Sequence, residues 1–113
     1  MVRNFEELIV WQDARILANN VHTAFIDLKD FSFRDQINRA SVSIMNNIAE
    51  GFERYSKPDF KRFLQIAKAS CSEVRSMLYL ALDFNYIDKT KASEMLQLGT
   101  KIKAEIINLM NKQ

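Results

Sequence analysis

Along Gln36–Gly51, QINRASVSIMNNIAEG, large apolar residues alternate with small and amide-bearing ones at helical spacing. At about 100° per residue, Ile37, Ala40, Val42, Ile44, Met45, Ile48, Ala49 and Phe52 cover an arc of about 200°. A helix resting on a single layer needs about half of that arc, so this one is read as covered on two sides. The remaining side carries Arg39, Ser43, Asn46 and Glu50, a polar seam drawn along the helix.

The same periodicity predicts three further helices. The first runs from about Leu8 to about Leu28, where Trp11, Ala14, Ala18, Val21, Phe25 and Leu28 recur at three- and four-residue spacing. Asn4 and Glu7 form a candidate capping box ahead of it. Ser32, with Asp35 three residues on, is the candidate N-cap of the second helix, which continues to about Arg54. Ser56-Lys57-Pro58-Asp59 is the clearest start signal: a hydroxyl at the cap, proline in the first turn and a carboxylate at N3. The third helix extends from about Lys57 to about Phe84. Its main seam is Phe60, Phe63, Leu64, Ala67, Cys71, Val74, Leu78 and Ala81, and Asn85 is a left-handed terminator. Asp88 caps a fourth helix that turns Met95, Leu98, Ile102, Ile106 and Leu109 inward. Helices this long with short connections pack as antiparallel neighbours. The chain is therefore read as all-α, one up-down-up-down four-helix bundle domain over residues 1–113.

Composition supports this reading. A length of 113 residues sustains one core, and two glycines with one proline leave little punctuation for tight turns or sheet edges. No apolar run approaches the roughly 18 residues of a membrane span. The opening MVRNFEELIVWQD has acids where a secretion signal has an apolar core, and a single cysteine suits a reducing compartment. The expected location is the cytoplasm, with no membrane partner.

The third helix has a second strip beside its main seam: Ile66, Ser70, Met77, Leu80 and Phe84, with Glu73 among them. Each large apolar side chain gains about 1.5–3 kcal/mol on full burial, so a strip left facing water argues for self-association. The alternative is a wide-faced core within one chain.

Candidate chemistry is sparse. Arg39, Asn46, Asn47, Glu50, Ser70 and Glu73 are read as an interhelical or intersubunit hydrogen-bond network, with Arg39 forking onto a carboxylate. The competing reading makes Glu50 and Glu73 a general acid/base pair, but no nucleophile, metal set or phosphate cradle accompanies them. His22 is a boundary residue without metal-site spacing, Cys71 sits in the core seam, and Met77, Met95 and Met110 are packing residues. No catalytic residue, cofactor, metal or small-molecule substrate is expected.

A net charge of +2 does not argue for nucleic acid, but its distribution is informative. Lys57, Lys61, Lys68 and Arg75 fall within about 40° of one another on the wheel and extend about 27 Å along it. Tyr79 continues the stripe, and Arg54 and Arg62 are nearby in sequence. Such a stripe is either a solvated face or a surface that neutralises phosphates, with Tyr79 available to stack on a base.

The segments Gln36-Ile37-Asn38-Arg39-Ala40-Ser41, Ser43-Ile44 and Asn47-Ile48-Ala49-Glu50-Gly51 carry a family resemblance. So do Phe60, Arg62-Phe63-Leu64, Ile66-Ala67, Ser70 and Glu73, with Phe5, Leu8, Trp11, Gln12 and Ala14 in the opening helix. Together they resemble the four-helix-bundle proteins found in 23S rRNA intervening sequences. That fold is similar to the accessory variability protein of diversity-generating retroelements, a basic pentamer that engages nucleic acid and reverse transcriptase. The resemblance implies a homopentamer with RNA, DNA or a nucleic-acid enzyme as partner. The alternative is a homopentameric scaffold for a protein partner without nucleic-acid contact. Two positions depart from the pattern. Met45 replaces a usual proline, which weakens any kink, and Ala69 replaces a usual glycine, which loosens the closest helix approach.

Overall fold

A computed structural model describes residues 1–113. A 3-10 turn, Phe5–Glu7, leads into α1 (Ile9–Phe25), α2 (Phe31–Phe52), α3 (Lys57–Asp83) and α4 (Lys89–Asn111). Each helix packs on its neighbour in sequence, α1 and α4 close the square, and neither diagonal pair makes close backbone contact. The result is the expected four-helix up-down-up-down bundle, 43 × 22 × 19 Å. Its interior is filled by side chains from all four helices, including Leu17, Phe25, Ile44, Ile48, Leu64, Leu78, Ile102 and Ile106.

Local chemistry sets the boundaries. Ser56 Oγ accepts from the Asp59 backbone N–H at 3.2 Å, and Asp88 Oδ1 accepts from that of Lys91 at 2.8 Å, as the sequence indicates. Asn85 adopts φ 59°, and the Tyr86 N–H returns to the Ala81 carbonyl at 2.8 Å, closing the turn after α3. Before α1, Glu7 accepts from the backbone N–H of Asn4 at 2.8 Å. Two expectations change. The cap of α2 is Asp30 rather than Ser32: its Oδ1 accepts from the Phe33 N–H at 3.2 Å while its Oδ2 accepts from Tyr86 Oη at 2.6 Å. The Tyr86 hydroxyl, then the Phe33 amide, hold the Asp30 carboxyl below its usual range. The first helix also ends at Phe25, about one turn early, because Leu28 reaches the core from the connecting turn.

α3 carries two seams one residue apart. Phe60, Leu64, Ala67, Cys71, Val74, Leu78 and Ala81 face the core. Phe63, Ile66, Ser70, Glu73, Met77, Leu80 and Phe84 repeat the same four-and-three alternation one position earlier. In this second seam Phe63, Ser70 and Met77, seven residues apart, are buried, whereas Ile66, Leu80 and Phe84 stay 40%, 40% and 48% exposed. The strip expected to leave much of its length facing water is thus divided: the row Phe63, Ser70 and Met77 is sheltered until Phe84, its last member, emerges at the helix end, and the row of Ile66, Glu73 and Leu80 stays open.

Candidate nucleic-acid interface

α2 and α3 meet closely because Gly51 has no side chain. A Cβ there would lie 2.8 Å from Phe63 Cβ and 2.9 Å from Phe60 Cδ1. Along this contact Ser43 Oγ and Ser70 Oγ share a hydrogen bond of 2.9 Å. Asn47 Nδ2 donates to the Ser43 carbonyl at 2.8 Å and its hydroxyl at 3.0 Å. Gln36 Nε2 donates to Glu73 Oε2 at 3.3 Å. Part of the anticipated network therefore forms inside one chain. Arg39, Asn46 and Glu50 remain exposed and make no side-chain hydrogen bond or ion pair within it. Gln36, not Arg39, reaches Glu73. Because Glu73 lies beside Gln36, it is about 20 Å along α2 from Glu50, too far for an acid/base pair.

The opposite flank of α3 faces α4 across an open groove lined by Arg75, Tyr79, Leu82, Lys89, Ser93, Leu96, Gln97 and Thr100. Lys68 and the exposed Lys57 and Lys61 continue the α3 side toward its N-terminus. Lys103 lies near Cys71 on the α4 side. No acid lines this groove. The acids of α4 turn toward α1, Glu94 beside Asn20, Thr23 and Ala24, and Glu105 beside Asp13. None of Lys57, Lys61, Lys68, Arg75, Lys89 or Lys103 forms an ion pair; the three that exist are Arg34–Asp35, Arg62–Asp59 and Lys101–Asp13. Arg54 and Arg62, near the stripe in sequence, lie over the Phe63 ring at 4.5 and 4.8 Å instead.

Arg75 is seated by the chain's second glycine. A Cβ on Gly99 would stand 2.9 Å from Arg75 Cγ and 3.2 Å from Cδ, so the arginine stem lies against the bare backbone of α4. Its Nε is buried without an acceptor. Beneath it Cys71 Sγ donates to the Gly99 carbonyl at 3.3 Å. Burial pushes the thiol up despite the nearby Arg75 and Lys103 charges, which suits a packing residue and not a nucleophile. His22 is exposed, and no cluster of three or more His, Cys, Asp or Glu residues is placed to hold a metal ion.

Sequence reasoning missed the α4 half of the groove. Lys89, Ser93, Leu96, Thr100 and Lys103 recur at four- and three-residue spacing, a strip without acids that the wheel displays. It also missed the polar cluster between α1 and α4. There Lys101 Nζ lies 3.2 Å from the largely buried Asp13 Oδ2, and Glu105 Oε1 is buried. Burial, then hydrogen bonding and charge from Asp13, push Glu105 up to about 7, with Lys101 opposing.

No helix is long and apolar enough to cross a membrane. The chain matches the family described as 23S rRNA-intervening sequence protein over residues 6–108. A solved structure of a protein of unknown function from the S23 ribosomal protein family of Bacteroides thetaiotaomicron VPI-5482 superposes with a TM-score of 0.85. The two are 24% identical, and the match covers 90% of this chain and 98% of that one. No curated protein matches. The chain belongs to the 23S rRNA-intervening sequence protein family.

Proposed function

We propose that this member of the 23S rRNA-intervening sequence protein family is a non-enzymatic, self-associating cytoplasmic module that binds RNA or DNA along the α3–α4 groove. The observation that carries the reading is the groove's charge. Arg75 and Lys89 line it from two helices, Lys103, Lys57, Lys61 and Lys68 extend the rows along α4 and α3, and none is neutralised by a protein carboxylate. Cations left unpaired beside one another repel, and a polyanion removes that cost while releasing its own counterions. The family's description, an rRNA-intervening sequence protein, fits such a partner.

Self-association would use the other flank of α3. Ile66, Leu80 and Phe84, with Val42 of α2 at 43% exposure, remain open to a second copy. Arg39, Asn46 and Glu50 lie free along the exposed side of α2. A five-fold ring is the assembly that the family resemblance implies.

The test is a titration of labelled RNA and DNA at several salt concentrations, with native mass spectrometry in parallel. Affinity is expected to fall steeply with salt. Replacing Lys57, Lys61, Lys68 and Arg75 together with Gln should weaken binding at least about a hundredfold and flatten the salt slope by about 3, with assembly mass unchanged. Full-strength binding by the quadruple variant sinks the assignment. Nuclease-insensitive capture of a single protein partner, without nucleic-acid binding, would replace it with the scaffold reading.

A further inference from the structure

We propose that the α3–α4 groove is a site for single-stranded nucleic acid, with Arg75 holding a phosphate and Tyr79 stacking on the neighbouring base. This rests on the nucleic-acid reading above and names the form of ligand the groove takes. A duplex presents a rigid cylinder of phosphates and is served by cations on a rim. The floor here is different: between Arg75 and Lys89 lie the apolar Leu82 and Leu96. Tyr79 stands beside them with 55% of its surface exposed and its hydroxyl unbonded within the chain. A flat, partly apolar patch between cations suits an unstacked base with its phosphate, and duplex contacts would waste it.

The base edge also finds partners. Gln97 commits one amide N–H, at 3.5 Å, to Ser93 and keeps its carbonyl oxygen for a donor. Thr100 donates to the Leu96 carbonyl at 3.0 Å, which leaves its oxygen free to accept.

The Arg75–Gly99 crossing is the second, independent observation. Glycine inside a helix is unfavourable relative to alanine, and α4 carries one where the arginine stem crosses it. The effect is to hold the guanidinium low in the groove. A buried N–H without an acceptor is unfavourable, and the Arg75 Nε is in that state. With the stem fixed in this way, the guanidinium end that lines the groove is the part a phosphate oxygen meets.

The experiment compares RNA and DNA single strands with duplexes of the same length by fluorescence anisotropy, using the full chain. Single strands should bind at least about tenfold tighter than duplexes. Tyr79→Ala should lower strand affinity about tenfold and leave duplex affinity in place, whereas Tyr79→Phe should keep strand affinity. Gly99→Ala should displace Arg75 and weaken strand binding without lowering the melting temperature, a separation that a folding defect would not produce. The RNA and DNA arms show whether a ribose hydroxyl contributes. Equal affinity for strand and duplex overturns this inference while leaving the charge-based reading standing. So does strand binding indifferent to both Tyr79→Ala and Gly99→Ala. Absence of binding to any nucleic acid overturns both.

Discussion

On one flank of α3 a glycine lets two helices close together; on the other, a glycine lets an arginine lie down. Gly51 admits Phe60 and Phe63 to the backbone of α2, and the contact continues through Ser43, Ser70 and Asn47 into a hydrogen-bonded seam. Gly99 admits the Arg75 stem to the backbone of α4, and the groove above it stays open, cationic and unpaired. The first omission serves packing within the fold. The second is made where the bundle gains no interlocking side chain from it, and in our proposal it serves a ligand. Two residues of the same type thus carry opposite meanings, and their neighbours decide which.

Substitution at the two sites tests that contrast most severely. In Gly51→Ala the added methyl meets Phe63 Cβ, which is fixed to its backbone, so overpacking outweighs the gain in helix propensity. Chemical denaturation should show a loss of about 1–2 kcal/mol. In Gly99→Ala the methyl meets a long side chain that swings aside into water, so stability should change by less than about 0.5 kcal/mol or rise slightly. Equal losses from the two variants would erase the distinction.

The α1–α4 seam provides a third term for the comparison, since it holds a carboxyl with a buried oxygen where the α2–α3 seam holds hydroxyls and an amide and the α3–α4 seam a thiol and an arginine stem. Glu105 is raised in the folded state to about 7, so the native protein holds its proton more tightly than the unfolded chain does. Its contribution is therefore complete below the ordinary carboxyl range and is lost as pH rises through about 7. Allowing for solvent screening, stability should fall by about 1 kcal/mol between about pH 6 and pH 8. Glu105→Gln should flatten that interval in denaturation curves, and a slope that persists in the variant would assign it to another group. Glu73→Ala, like Gly99→Ala, has only a small effect on folding. It removes one exposed hydrogen bond to Gln36 and should cost no more than about 0.5 kcal/mol. If the residue also serves an intersubunit contact, native mass spectrometry will show a reduced assembly mass; an unchanged mass would confine its role to the Gln36 bond.

Much of the bundle was legible because its signals are local. Ser56-Lys57-Pro58-Asp59 starts α3 and Asp88 starts α4 through contacts three residues away, which sequence spacing displays directly. Asn85 stops α3 by its own backbone conformation. The start of α2 was misread because Asp30 is fixed by Tyr86, 56 residues further on, and no local window contains both. The α3 side of the groove could be drawn on a wheel, but its floor depends on the register between α3 and α4. That register brings Gly99 under Arg75. The expected Arg39–carboxylate fork failed within one chain for a similar reason: the wheel gives a residue's side of its helix, and the facing helix decides who is within reach.

The Tyr86–Asp30 bond, at 2.6 Å, also gives the molecule a tight end and a loose one. It clasps the α1–α2 and α3–α4 connections together, and the Phe25, Phe33, Tyr86 and Phe84 rings meet edge to face around it. At the other end the two chain termini gather with the α2–α3 connection, where Tyr55 stands fully exposed. Fraying should therefore begin there and travel in one direction, so that the rods part at the unlatched end like a clothes-peg while the hinge holds.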